Sequence, residues 1–86
     1  MPSTSDNGAY NYADRLCGRL PRALQQEREG EGVSRYALEK KSAVSRDMIG
    51  DIENGDSIPT LHLAARLAFG LRMKAWELVR RLEDDW

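Results

Sequence analysis

Apolar positions recur along this chain three and four residues apart, without any sustained alternation, so helices are expected and strands are not. The most sharply bounded stretch is VSRDMIGDIENG, Val44 to Gly55. Ile49 and Ile52 lie three apart and share the inward side of a short helix, leaving Arg46, Asp47, Gly50 and Asp51 facing outward. Ser45 suits the start, because its hydroxyl can accept a free N–H two or three residues on. Asn54-Gly55 suits the stop, because both residues tolerate the left-handed conformation that ends helices. So short and polar a helix is marginal alone and must be held by its neighbours. Its outer face is then free to meet something else.

The remaining elements fall on either side of it. Residues 1–9, small and polar with Pro and Gly, read as a disordered tail, and the domain boundary is drawn so that 1–12 is tail and 13–86 is folded. From about Asp14 to Glu29, Leu16, Leu20, Ala23 and Leu24 make one apolar stripe. Pro21 lies within it and implies either a kinked helix or two pieces, the second starting at the proline; two pieces are favoured. Gly30-Glu31-Gly32 forces a turn. Ser34 is a candidate cap for a helix from Arg35 to about Lys41, with Ala37, Leu38 and the Lys41 stem inward. Ser42-Ala43 turns the chain and Val44 returns it to the core. Thr60 caps a helix whose wide apolar face, Leu61, Ala64, Ala65, Leu67, Ala68 and Leu71, suits burial. A last helix, about Ala75 to Glu83, follows. The class is all-α: a compact bundle of four to five short helices.

Leu71, Ala75, Leu78 and Leu82 form a two-heptad seam along the chain's end. Not all of it is expected to be internal core in so small a domain. The seam predicts a two-fold homodimer through the C-terminal helix; the alternative is that it closes the monomer core.

Composition narrows the functional classes. With 41% hydrophobic and 31% charged residues, the chain suits one globular domain. One Cys and one His exclude a disulfide framework and leave no ligand set for a structural zinc, so no metal and no cofactor is expected. Cys17 reads as a small apolar side chain and His62 as a surface one. No apolar run reaches the roughly 20 residues of a membrane span, and no leader pattern opens the chain, which points to the cytoplasm. No enzyme constellation is present: the serines have cap explanations, the glycines form no phosphate cradle, and Glu83, Asp84 and Asp85 read as a solvated terminal run. The net charge of −1 is awkward for binding polyanions, and no segment carries a marked basic surplus.

Read together, S-x3-L at Ser34 and Leu38, VSR at Val44–Arg46, I-x2-IENG at Ile49–Gly55, PTL at Pro59–Leu61, Leu67-Ala68, Leu71 and Glu77-Leu78 resemble the Cro/CI-type, or Xre, helix-turn-helix family over about half the chain. The resemblance implies a lambda-repressor-like fold that places its second motif helix in the major groove of double-stranded DNA, as a dimer on an inverted repeat. Carried over by position, Ser45, Arg46, Asp47 and Asp51 face the bases. Arg46 is the best reader, since its fork fits guanine O6 and N7. A carboxylate accepts from cytosine N4 but repels phosphate, so Asp47 and Asp51 read as base contacts, as orienters of Arg46, or as plain solvated charges. Phosphate contacts are implied for Ser34, Arg35, Tyr36, Lys40, Asn54, Ser57 and Thr60. Gly50 would let the helix approach DNA closely. Glu53 is expected to pair with Arg28 or, if the GEG turn hides an insertion, with Arg22.

Three positions depart from the family pattern. Glu39 replaces a small residue where helices pack closely and must bend outward or find a partner. Ala43 replaces the turn glycine, and Arg72 a glycine after the fourth helix. The implied function is a sequence-specific transcriptional regulator, a repressor, with no small-molecule ligand and no membrane. The alternative is a protein-interaction module on the same fold, such as the antitoxin of a toxin pair. The near-neutral charge and the two outward aspartates favour it.

Overall fold

In the computed structural model, which describes residues 8–83, six helices follow one another and no strand occurs among the described residues. They are α1 (Gly8–Gly18), α2 (Leu20–Gly30), α3 (Arg35–Ser42), α4 (Arg46–Glu53), α5 (Leu61–Gly70) and α6 (Ala75–Arg80). Helix α3 packs against both α4 and α5, α2 against α4, and α6 against α5, while α1 packs on α2.

The stripe around Pro21 is split as favoured. The turn at Arg19 ends α1, and Pro21 is the second residue of α2, where its missing N–H has no intrahelical acceptor to lose. The chain becomes helical earlier than the polar pattern suggests: residues 8–12, assigned above to the tail, belong to α1, and the rest of that expected tail lies outside the described residues. Helix α1 buries no residue fully and meets the core through the partly buried Leu16. Polar staples hold this end of the molecule. Tyr12 donates its hydroxyl proton to Glu83 at 2.6 Å, Arg19 donates to the Leu82 carbonyl at 2.9 Å, and Arg81 pairs with Glu27 at 2.7 Å.

The core gathers Leu20 and Leu24 of α2, Leu38 of α3, Val44 of the turn, Ile49 and Ile52 of α4, Leu67 of α5, Leu71 just beyond it, and Leu82. Truncating any of the fully buried ones to alanine is expected to cost roughly 2–5 kcal/mol. The C-terminal seam belongs to this interior. Leu71, Leu78 and Leu82 are 2, 2 and 6% exposed, and Ala75 is half-buried. Leu71, Leu78 and Leu82, expected at a dimer interface, are therefore placed in the core of this chain, as in the alternative reading of the seam, while Ala75 keeps part of its surface. Two further expectations change. Lys41 is exposed and its stem is not core, and Leu61, at the first position of α5, is 75% exposed rather than sunk.

Two departures from the family pattern fall at left-handed positions. Ala43 (φ 60°) closes α3, its N–H reaching the Glu39 carbonyl at 2.9 Å, and Arg72 (φ 63°) follows α5. A side chain there is strained by roughly 1–2 kcal/mol. Arg66 of α5 offsets this at the first turn by donating to the carbonyls of Ser42 and Ala43. Close helix approach occurs at Gly70, where a Cβ would lie 2.9 Å from Leu38 Cδ1 and from Ser42 Cβ. This α3–α5 contact fixes the first helix of the motif on the core.

Candidate nucleic-acid interface

Helices α3 and α4 and the turn between them carry the candidate site. Ser34 caps α3 by accepting the Ala37 N–H at 3.0 Å, and Ser45 caps α4 by accepting the Met48 N–H at 3.1 Å. The buried Ser42 hydroxyl donates to the Leu38 carbonyl at 2.7 Å and accepts from the Val44 N–H at 3.1 Å, so the turn's polar groups are satisfied locally. At the far end of α4 the Asp56 N–H meets the Asp51 carbonyl at 2.7 Å and the Gly55 N–H meets Ile52 at 3.1 Å. This paired closure places the left-handed residue at Gly55 alone (φ 82°), while Asn54 stays right-handed. Ile49 and Ile52, both 0% exposed, seat the inner side of α4 in the core.

Glu53 locks that seat. Arg28 grips it with two hydrogen bonds, Nε to Oε2 at 2.7 Å and Nη2 to Oε1 at 3.0 Å, and ties itself to the Val33 carbonyl at 3.0 Å. The expected Arg28 partner is thus the observed one. A second arginine joins it: Arg35 donates through Nε at 3.1 Å and Nη2 at 3.0 Å to the same Oε1. Burial pushes the Glu53 carboxyl up, but the bonds from Arg28 and then Arg35 outweigh it and hold it below the usual carboxylate range. The same hydrogen bond raises Arg28 above the ordinary arginine value. Two cations on one carboxylate leave a surplus positive charge at this lock.

The guanidinium of Arg35 crosses α4 at Gly50. A Cβ there would lie 3.3 Å from Arg35 Nη1. Gly50 is consequently buried, which corrects its expected outward placement: it accommodates Arg35, not an approaching ligand. Of the other outward positions, Ser45, Arg46, Asp47 and Asp51 are all exposed on the free side of α4, and Met48 is half-buried against the core.

A second cluster sits at the head of α4. Arg46 Nε lies 3.1 Å from Glu39 Oε1, and the same oxygen is 3.4 Å from the Arg46 backbone N–H. The Arg46 guanidinium carbon stands 4.8 Å from the centre of the Tyr36 ring, and Lys40 Nζ stands 5.1 Å from it. Tyr36 and Lys40, expected at phosphates, are therefore gathered with Arg46, while Glu39 finds its partner across the turn. Of the other positions expected at phosphates, Ser34 and Thr60 spend an acceptor on their caps and still have a hydroxyl proton to donate, Asn54 is exposed, Ser57 is half-buried, and Arg35 keeps 41% of its side chain exposed.

Sequence reading left the partner of Glu39 unnamed and missed the roles of Arg66 and of the bonds from Arg35 to Glu53. Each reaches seven or more residues along the chain to another element, and no helical spacing marks such a pair.

Among the described residues, no helix is long and apolar enough to cross a membrane, and no group of three metal-ligating side chains occurs. Comparison with curated proteins and with solved structures returns no match. The helix-turn-helix family model matches residues 24–71, more than half of the chain. That span runs from the first fully buried leucine of α2 through the Glu53 lock and the capped α4 to the end of α5. The chain belongs to the helix-turn-helix family of the Cro/CI, or Xre, type, a family of DNA-binding domains.

Proposed function

We propose that this protein is a sequence-specific transcriptional regulator, a repressor that occupies an inverted-repeat operator. One observation carries this reading: α4 buries Ile49 and Ile52 while Ser45, Arg46, Asp47 and Asp51 stay exposed beside its capped N-terminus. A helix seated so firmly on one side and open on the other can enter a major groove without rearrangement. Arg46 reads a guanine, Asp47 and Asp51 select against bases that turn acceptors toward them, and Ser34, Arg35, Tyr36, Lys40, Asn54, Ser57 and Thr60 hold the backbone on either side.

Two-fold pairing is best served by the apolar surface beside the C-terminal seam, where Leu78 and Leu82 reach the floor of a hollow. Ile58 and Leu61, 72 and 75% exposed, flank this hollow, which also includes Ala64 and Val79. This patch follows directly from the end of α4, so pairing through it would hold two reading helices at a fixed separation.

The test is selection from a random-site library, followed by anisotropy titration at several salt concentrations. Enrichment of one inverted repeat, bound with a steep salt dependence, supports the reading. A second reading, a protein-interaction module such as an antitoxin, is favoured by Phe69 and Trp76, which stand 77 and 64% exposed on α5 and α6. It predicts no sequence enrichment at low salt, and a stoichiometric complex with the product of an adjacent reading frame that Phe69→Ser and Trp76→Ser weaken.

A further inference from the structure

Glu39 stands where its family has a small residue, and it is neither buried nor idle. Its carboxylate lies against Arg46 at the Nε edge, at 3.1 Å, with the two side chains 32 and 57% exposed. Tyr36 presents its ring to the same guanidinium at 4.8 Å. Among the described residues, the two terminal nitrogens of Arg46 make no hydrogen bond. An arginine can engage guanine with its terminal fork or with its Nε side. Here the Glu39 carboxylate stands at the Nε side as an ion pair, without the alignment of a hydrogen bond to Nε, and no acidic partner faces the terminal fork.

We propose that Glu39 is a positioning residue for base reading, holding Arg46 by its inner edge against the Tyr36 ring so that the terminal fork is presented to guanine O6 and N7. The assignment rests on the DNA-binding function proposed above. Two physical consequences support it. An exposed arginine samples many rotamers, and fixing one end before binding reduces the entropy lost on docking. A carboxylate beside the first N–H of α4 also disfavours a backbone phosphate at that helix end, which suppresses binding out of register. The second consequence fits a chain whose net charge is −1 and which cannot rely on a large basic surplus.

The experiment is library selection with the full chain and with Glu39→Ala, Glu39→Gln, Arg46→Ala and Glu39→Ala/Arg46→Ala, each first checked for helical content and melting temperature. Glu39→Ala should lose roughly fivefold or more of the guanine preference at one position per half-site, because a bidentate contact is weakened rather than removed. Glu39→Gln, which keeps an oxygen beside Nε, should recover part of it. Binding to random DNA at low salt should rise a few-fold in both variants, since a charge facing the phosphates is gone. In the Arg46→Ala background, removing Glu39 should change no base preference. Glu39 acts otherwise if Glu39→Ala leaves the guanine preference intact, or raises it, or shifts preferences equally without Arg46; each of these overturns the assignment alone. A wild-type chain that enriches no sequence overturns the DNA-binding function and the assignment with it.

Discussion

Helices α3 and α4 are joined by two glutamate–arginine clusters of the same chemistry and opposite surroundings. At the C-terminal end of α4, Glu53 is 1% exposed and Arg28 11%, and the carboxylate receives four hydrogen bonds. At the N-terminal end, Glu39 and Arg46 are 32 and 57% exposed and meet at one edge. Water decides the difference. A buried carboxylate stripped of its partners has nothing to replace them, so the Glu53 cluster is a structural lock. An exposed pair exchanges protein contacts for water at little net change, so Arg46 can leave its partner, or carry it along, when a better acceptor arrives. One cluster holds the reading helix in place, and the other is available to the ligand.

The sharpest break in this comparison is Glu53→Ala. It should destabilise the fold by about 3–5 kcal/mol, because two arginines are left on a vacated buried site. Against a total stability of about 5–10 kcal/mol for a domain this size, that is a large fraction. Urea denaturation reads it, and a loss below about 1 kcal/mol would erase the distinction between the clusters.

Gly70→Ala should come next, at about 1–3 kcal/mol, since the added Cβ meets Leu38 and Ser42 at 2.9 Å and forces α5 off α3. Melting temperature measures the loss. A neutral result would mean that α3 does not depend on this contact for its seat.

Acid should weaken the Glu53 cluster. Glu53 is held below the ordinary carboxylate range, so its contribution is fully present above that range and is lost as pH falls through the lowered value. Stability of the wild-type chain should therefore fall on acidification below about pH 4, while Glu53→Gln, already destabilised at neutral pH, should show a flatter acid limb. Denaturation midpoints between pH 3 and 7 test this, and parallel curves for the two chains would contradict it.

Ala43→Gly, in the turn between the clusters, should stabilise by about 1 kcal/mol through relief of the left-handed strain, partly offset by glycine's freer unfolded state. The smallest effect on stability, about 0.2–1 kcal/mol, is expected for Arg46→Ala. That variant should nonetheless flatten base preference in a selection experiment. A large stability loss with unchanged preference would make Arg46 a second lock.

Much of the fold is legible along the chain because its determinants are local. The caps at Ser34, Ser45 and Thr60, the glycine stop at Gly55 and the inward isoleucines of α4 all act within one or two turns of helix, so three- and four-residue spacing reveals them. Family resemblance adds the Arg28–Glu53 pair. The start of α1, residues 8–12, escaped because it carries no buried residue and is tied instead to the chain's other end through Tyr12. The C-terminal seam misled for the opposite reason. A heptad of leucines states that an apolar face exists, not whether it closes on its own chain or on another, and only the packing of Leu71, Leu78 and Leu82 decides.

The sequence by itself determined where the capped helices α3, α4 and α5 begin, where α4 stops and which side of α4 faces inward, since caps, stops and periodicity act between near neighbours. Tertiary structure alone decided what each charge does. It set Arg35 across Gly50 onto Glu53, Glu39 across a turn onto Arg46, and Arg66 under the α3 turn. Whether a charge is locked or available depends on its distance to partners on other elements and on how much water reaches it, and neither quantity exists until the chain has folded.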